Sequence, residues 1–166
     1  MREPLKDRIR LEHIVEAINK VFNFTEGKTI DDFKVGNMMY YAVVKNMEII
    51  GEAAFRLTKA FCEAHPETDW NGIMSLRHVL VHDYFQINVN TVWDIIQHEL
   101  HPLLDQVNCY LAETNWEEWE KDNKVIAETA VHKNLIQTAS RMKKDGISIV
   151  QISKYTGLSA EEIEEI

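Results

Sequence analysis

An apolar repeat in the middle of the chain limits most what this sequence can fold into. Val43, Met47, Ile50, Ala54, Leu57 and Phe61 recur at alternating intervals of four and three residues, so they share one side of a helix and form a packing seam. The seam predicts one helix over residues 38–64 that must bury this side against other helices. Gly51 lies in its middle. A mid-helix glycine costs about 1 kcal/mol relative to alanine, and close approach of a neighbouring backbone would justify it. Asn46, Glu48, Glu52 and Arg56 lie off the seam, with Glu52 and Arg56 spaced to pair along the helix.

Helical spacing recurs on both sides. Residues 5–24 carry Leu11, Ile14, Val15, Ile18 and Val21 as one stripe, behind Pro4 at a first-turn position. His13 falls at the edge of that stripe and reads as structural. Residues 25–37 are a connection punctuated by Gly27 and Gly36. Asp69 is a good N-cap for an apolar helix from Trp70 to Val81. Asn90 is placed to cap a helix over 91–113, which Pro102 should kink. No segment has a convincing strand period, and three prolines and six glycines are few for a turn-rich sheet. The expectation is an all-α fold: an antiparallel helical bundle over residues 1–113, then a C-terminal helical extension over 114–166.

Charge and composition exclude several roles. The net charge of −9 gains little from non-specific attraction to phosphates, which argues against a nucleic-acid-coating protein but leaves room for a local basic cleft. No apolar run approaches the ~20 residues of a membrane span. The opening Met1-Arg2-Glu3-Pro4 has no signal-peptide core, so the expected location is the cytoplasm. Cys62 and Cys109 fit neither a metal knuckle nor a redox pair and read as buried free thiols. Asp94, His98 and His101 have the spacing of a metal face but read as ordinary helical surface.

Chemistry concentrates at Arg77, His78, Val79, Leu80, Val81, His82, Asp83 and Tyr84. Packing alone calls for none of the polar members. RNA can be cut without a metal when its own 2′-OH attacks the adjacent phosphate. The reaction needs a base for the hydroxyl, an acid for the leaving oxygen and a cation for the charge that builds on phosphorus. Histidine serves as acid or base near neutrality, and arginine presents a permanent planar fork to phosphate. His82 and Arg77 have these properties, with no cofactor or metal required. One motif supplies one such histidine, so a full acid–base pair suggests two chains sharing a cleft about a two-fold axis. Five residues of helix turn the side chain by about 140°, so Arg77 must reach around to meet His82. His82 is expected in the last turn of its helix and Tyr84 in the exit loop beside it.

The pattern Arg77, four residues, His82, one residue, Tyr84 resembles the signature of the HEPN superfamily, in particular HepT-like toxins. The resemblance extends over residues 1 to about 110. It takes in Pro4-Leu5-Lys6-Asp7-Arg8-Ile9, then the run from Val44 to Ala53, then His65-Pro66-Glu67 with Trp70, in order. It implies metal-independent RNA cleavage by Arg77 and His82, and places Asn46 and Glu48 near the cleft as supporting residues. It also implies a cognate antitoxin, a nucleotidyltransferase of the MNT type that can transfer AMP to the motif tyrosine, here Tyr84. Asp83 stands where many members have glycine. Its carboxylate would raise the pKa of His82 and repel RNA. A second reading therefore stays open: a catalytically silent helical module that binds a nucleotidyltransferase or a nucleotide.

The extension is different in kind. Trp116 and Trp119 sit in an acidic stretch and call for docking on the domain or a partner. A helix is expected over 121–144. Beyond it the chain resembles the ending of some transposase-related nuclease proteins, with the look of a helix-turn-helix around Thr156-Gly157-Leu158-Ser159. The second of those helices would face DNA bases, yet it holds four glutamates and no Lys or Arg. A packing or protein-interaction unit fits better than DNA binding, with Ser159 and Glu162 as a capping box.

Overall fold

The computed structural model describes residues 6–82 and 88–166, apart from the side chains of His82 and Ala127. Among the described residues the fold is all-α, with nine helices. The chain divides into two compact units, Met1–Trp116 and Glu117–Ile166.

The first unit holds α1 (Asp7–Thr25), α2 (Met38–Arg56), α3 (Lys59–Ala64), α4 (Trp70–His82), α5 (Val89–His98) and α6 (Leu100–Glu113). α2 packs against both α1 and α4, α1 also meets α6, and α5 meets α6. The central seam is the reason: Val43, Met47, Ile50, Ala54, Leu57 and Phe61 are all buried, as are Leu11, Ile14, Ile18 and Val21 of α1. Each such side chain contributes about 1.5–3 kcal/mol on full burial.

The helix expected over 38–64 is two helices, because α1 breaks it. Asp7 accepts from the backbone N–H (2.8 Å) and the hydroxyl (2.6 Å) of Thr58, and Thr58 in turn caps α3 through Phe61 N–H. Arg10 donates to the carbonyl of Arg56 at the end of α2. Both polar groups come from about 50 residues upstream, so nothing local in residues 38–64 reports the break. The helix expected over 91–113 is likewise two, α5 and α6, parted at Glu99. Pro102 then sits in the first turn of α6, where its missing N–H leaves no helical bond unmade. The cap of α5 is Asn88, whose side chain accepts from Asn90 N–H at 2.9 Å, rather than Asn90 itself.

The segment before α4 is built to hold that helix. Trp70 Nε1 donates to His65 O at 2.9 Å. The Thr68 hydroxyl shares a 2.6 Å hydrogen bond with the Tyr110 hydroxyl and donates to Gln106 Oε1 at 3.0 Å. Burial pushes the Tyr110 phenol up to about 12, so it remains neutral. Asp69 accepts from Gly72 N–H at 2.9 Å, as its cap role requires. The free thiols depart from expectation. Cys62 is only half-buried and Cys109 is exposed, since Val107 and Tyr110 take the inward face of α6 and Cys109 is turned out beside them.

The second unit is made of most of α7 (Trp116–Lys144), with α8 (Ile149–Thr156) and α9 (Ala160–Glu164). α7 begins five residues before the expected 121, because Glu117 and Glu118 form its first turn, where acidic side chains suit the helix dipole. Trp116 docks on the first unit, to which it belongs: its indole donates to Leu111 O at 3.0 Å and stacks on Phe61. Ala139, Ile152, Leu158 and Ile163 make a small core of the second unit. Gly157, at φ 74°, ends α8 in the left-handed conformation. Ser159 and Glu162 form the expected capping box. α9 has five residues, three of them glutamate.

Candidate active site

Arg77 sits where α4 passes close over Gly51 of α2. A Cβ built on Gly51 would lie 2.3 Å from Arg77 Cβ and 3.2 Å from the carbonyl of Ile73. The mid-helix glycine is thus the condition for α4 to carry Arg77 along α2 at this distance. The next residue on α2 then holds the side chain. Arg77 Nε lies 2.7 Å from Glu52 Oε2. That oxygen is buried and makes no aligned hydrogen bond, so charge rather than hydrogen-bond geometry holds the pair. The other oxygen, Oε1, accepts from Arg56 Nε at 2.5 Å. The Arg77 guanidinium carbon lies 5.6 Å from the centroid of the Phe55 ring, within cation–π range. The bond from Arg56, reinforced by Arg77 and opposed by burial, holds the Glu52 carboxyl below the usual carboxylate range.

Both arginines open on one groove of about 590 Å³. Lys6, Ile9, Arg10 and His13 form one wall; Lys45, Glu48, Ile49 and Arg56 of α2 form the other, and Arg77 and Val81 of α4 lie at its end. Five Lys or Arg side chains face two glutamates there, in a chain of net charge −9. The groove is therefore a local basic site on an acidic protein. The Arg77 side chain is 29% exposed, buried enough to be held and open enough to touch a ligand.

The other sequence candidates divide. His82 is the last residue of α4 and directly follows Val81 of the groove; its side chain, together with Asp83 and Tyr84, lies outside the described residues. Glu48 lines the groove and pairs with Lys45 at 2.8 Å. Asn46 is buried rather than on a free surface, and donates to Ala42 O at 2.8 Å. It borders a smaller adjoining hollow of about 200 Å³. His13, read from the sequence as structural, is exposed and borders both hollows. His98 pairs with Asp94 at 3.5 Å, whereas His101 stacks on Phe22 of α1, so these residues do not gather. The sequence reading missed the link of Glu52 to Arg77, the part of Phe55, and the basic wall of α1. A signal for that wall was present: Lys6, Arg10 and His13 recur at helical spacing.

A family model described as Ribonuclease HepT-like matches residues 14–110. That stretch includes all of α2 and α4, hence Glu52, Arg56, Arg77 and His82, and leaves out the second unit. A Methanocaldococcus jannaschii protein provisionally named an RNase is 37% identical over 94 residues, 56% of this chain and 78% of its own length. A similarly named protein of Caldanaerobacter subterraneus subsp. tengcongensis is 35% identical over 97 residues, 58% of this chain and 87% of its own. The Thermococcus cleftensis protein named "Probable ribonuclease HepT" is 33% identical over 93 residues, 56% of this chain and 84% of its own. No solved structure matches this chain. With the arginine of the motif seated in a basic groove and a family match that spans the helices holding it, the chain belongs to the ribonuclease HepT-like family.

Proposed function

We propose that this chain is a metal-independent endoribonuclease and the toxin component of a HEPN/MNT-type toxin–antitoxin pair. The 2′-oxygen attacks phosphorus, the bond to the 5′-oxygen breaks, and the products end in a 2′,3′-cyclic phosphate and a 5′-hydroxyl. Arg77 neutralises the charge on the phosphoryl oxygens. His82 moves the proton, from the 2′-OH or to the leaving oxygen. The observation that carries the reading is the held guanidinium of Arg77 in a basic groove, on the helix that ends in His82.

The active form is a homodimer whose two copies each bring one Arg77 and one His82 to a shared cleft. Support comes from apolar side chains exposed in the groove, Ile9 at 43% with Ile49 and Val81, and from Phe55 at 42% on α2. The cognate nucleotidyltransferase silences the enzyme by placing AMP on Tyr84, adding bulk and negative charge near His82. Glu48 is a supporting residue of the groove wall and Asn46 one of the adjoining hollow.

The test is cleavage of RNA in EDTA by the wild type, His82→Ala and Arg77→Ala. Wild-type cleavage that falls by about 100-fold or more in each variant supports the proposal. Three proteins that behave alike would leave the alternative, a silent module for a nucleotidyltransferase or nucleotide. The engagement of Arg77 by Glu52 is the observation that favours that alternative.

A further inference from the structure

The groove contains a second guanidinium that the motif does not supply. Arg56 and Arg77 come from different helices, yet one carboxylate touches both. Glu52 Oε1 meets Arg56 Nε at 2.5 Å, and Glu52 Oε2 lies 2.7 Å from Arg77 Nε. Both contacts use Nε. Each guanidinium therefore keeps its four Nη donors, the edge that binds phosphate oxygens in pairs. Glu52 stays ionised because its pKa lies below the ordinary range. An exposed pair one turn apart on a helix is by itself worth little. Here the carboxylate is shared with a residue of another helix, its Oε2 is buried, and both arginines line the same groove.

We propose that Glu52 joins Arg56 and Arg77 into a two-guanidinium clamp for consecutive phosphates of single-stranded RNA. Arg77 takes the phosphate that reacts and Arg56 takes its neighbour. One carboxylate bridges the two Nε atoms, so the two guanidiniums are held side by side. Glu52 touches no substrate: it is a positioning residue that keeps two like charges side by side and fixes the plane of Arg56 through its hydrogen bond to Nε. The Phe55 ring, 5.6 Å from the Arg77 guanidinium carbon, is a second contact that holds that group. The clamp rests on the ribonuclease reading for its substrate and extends it to a residue outside the motif.

Binding and cleavage are measured separately. In a His82→Ala background, the affinity for a labelled oligouridylate is followed against salt. Arg56→Ala and Arg77→Ala should each weaken binding about tenfold or more and reduce the slope of log Kd against log salt by about 0.7, one phosphate contact on a single strand. Arg56→Lys should keep most of that slope. In the His82 protein, Arg56→Ala should raise KM for cleavage of an oligonucleotide by a larger factor than for cleavage of a dinucleoside monophosphate, which has only the reacting phosphate. Arg77→Ala should lose both. Glu52→Gln should lower kcat with binding as tight as the wild type or tighter, because a negative charge leaves the groove while the guanidiniums lose their alignment.

An Arg56→Ala protein with wild-type slope and KM, or faster cleavage by Glu52→Gln, would overturn the clamp. Failure of the two proposals is distinguishable. If the wild type cuts RNA but neither arginine alters the salt slope, the clamp falls and the ribonuclease stands. If both alter it but nothing is cut, the clamp stands without the nuclease. If oligouridylate does not bind at all, the clamp is lost whatever the cleavage assay shows.

Discussion

At the scale of single residues, the site depends on what is missing at Gly51. Alanine is the better helix former by about 1 kcal/mol, so on propensity alone Gly51→Ala should stabilise α2. The added Cβ would instead meet Arg77 Cβ at 2.3 Å, an atom that cannot turn aside without its backbone. We expect a net loss of about 1–3 kcal/mol from overpacking, measured by urea unfolding, together with lower RNA cleavage because α4 must shift. The pH profile separates the groove's two kinds of charge. The pKa of Glu52 is depressed below the ordinary 4.5, so its ionised, clamping form is complete above that value and is lost only as pH falls through the lower one. Cleavage that declines between about pH 8 and 5 therefore belongs to an imidazole. Glu52→Gln should keep the midpoint of that decline while kcat drops throughout.

At the scale of elements, the turn between α2 and α3 is held from a distance. Asp7 satisfies both donors of Thr58, and Arg10 meets the last carbonyl of α2. Asp7→Ala leaves the part-buried N–H and hydroxyl of Thr58 without this partner, which costs about 1 kcal/mol. The expected outcome is a lower urea midpoint and faster amide exchange at Thr58 and Phe61. The effect should also reach the groove, because Arg56 ends α2 and Lys6 and Arg10 line the opposite wall. The capping box of α9 is a local counterpart. Ser159→Ala should cost about 1 kcal/mol, seen as loss of exchange protection at Glu162 and Ile163 with cleavage unchanged.

At the scale of the whole molecule, the chain divides into two compact units. The family match and the groove both lie within the first unit. The second has its own core of Ala139, Ile152, Leu158 and Ile163. Ile152→Ala should cost about 2–5 kcal/mol, and the loss should appear as exchange confined to residues 135–163. RNA cleavage should persist, since the groove and the family match come from the first unit. The charge pattern also acts at this scale. A basic groove on a protein of net charge −9 can bind only a short stretch of phosphates, so affinity should respond to salt much less steeply than that of a nucleic-acid-coating protein.

The sequence by itself determined the helices and their buried faces, because periodic burial is a local property that every seven residues of the α2 seam repeat. It also marked Arg77 and His82 by chemistry, and the capping box by spacing. The tertiary structure alone decided where helices break and what Arg77 touches. The break after Arg56 is set by Asp7 and Arg10, and the partner of Arg77 is a glutamate 25 positions earlier. Such polar contacts join helices that are far apart in the chain. Their geometry exists only once the apolar seams have brought α1, α2 and α4 together, so no local pattern of residues encodes them.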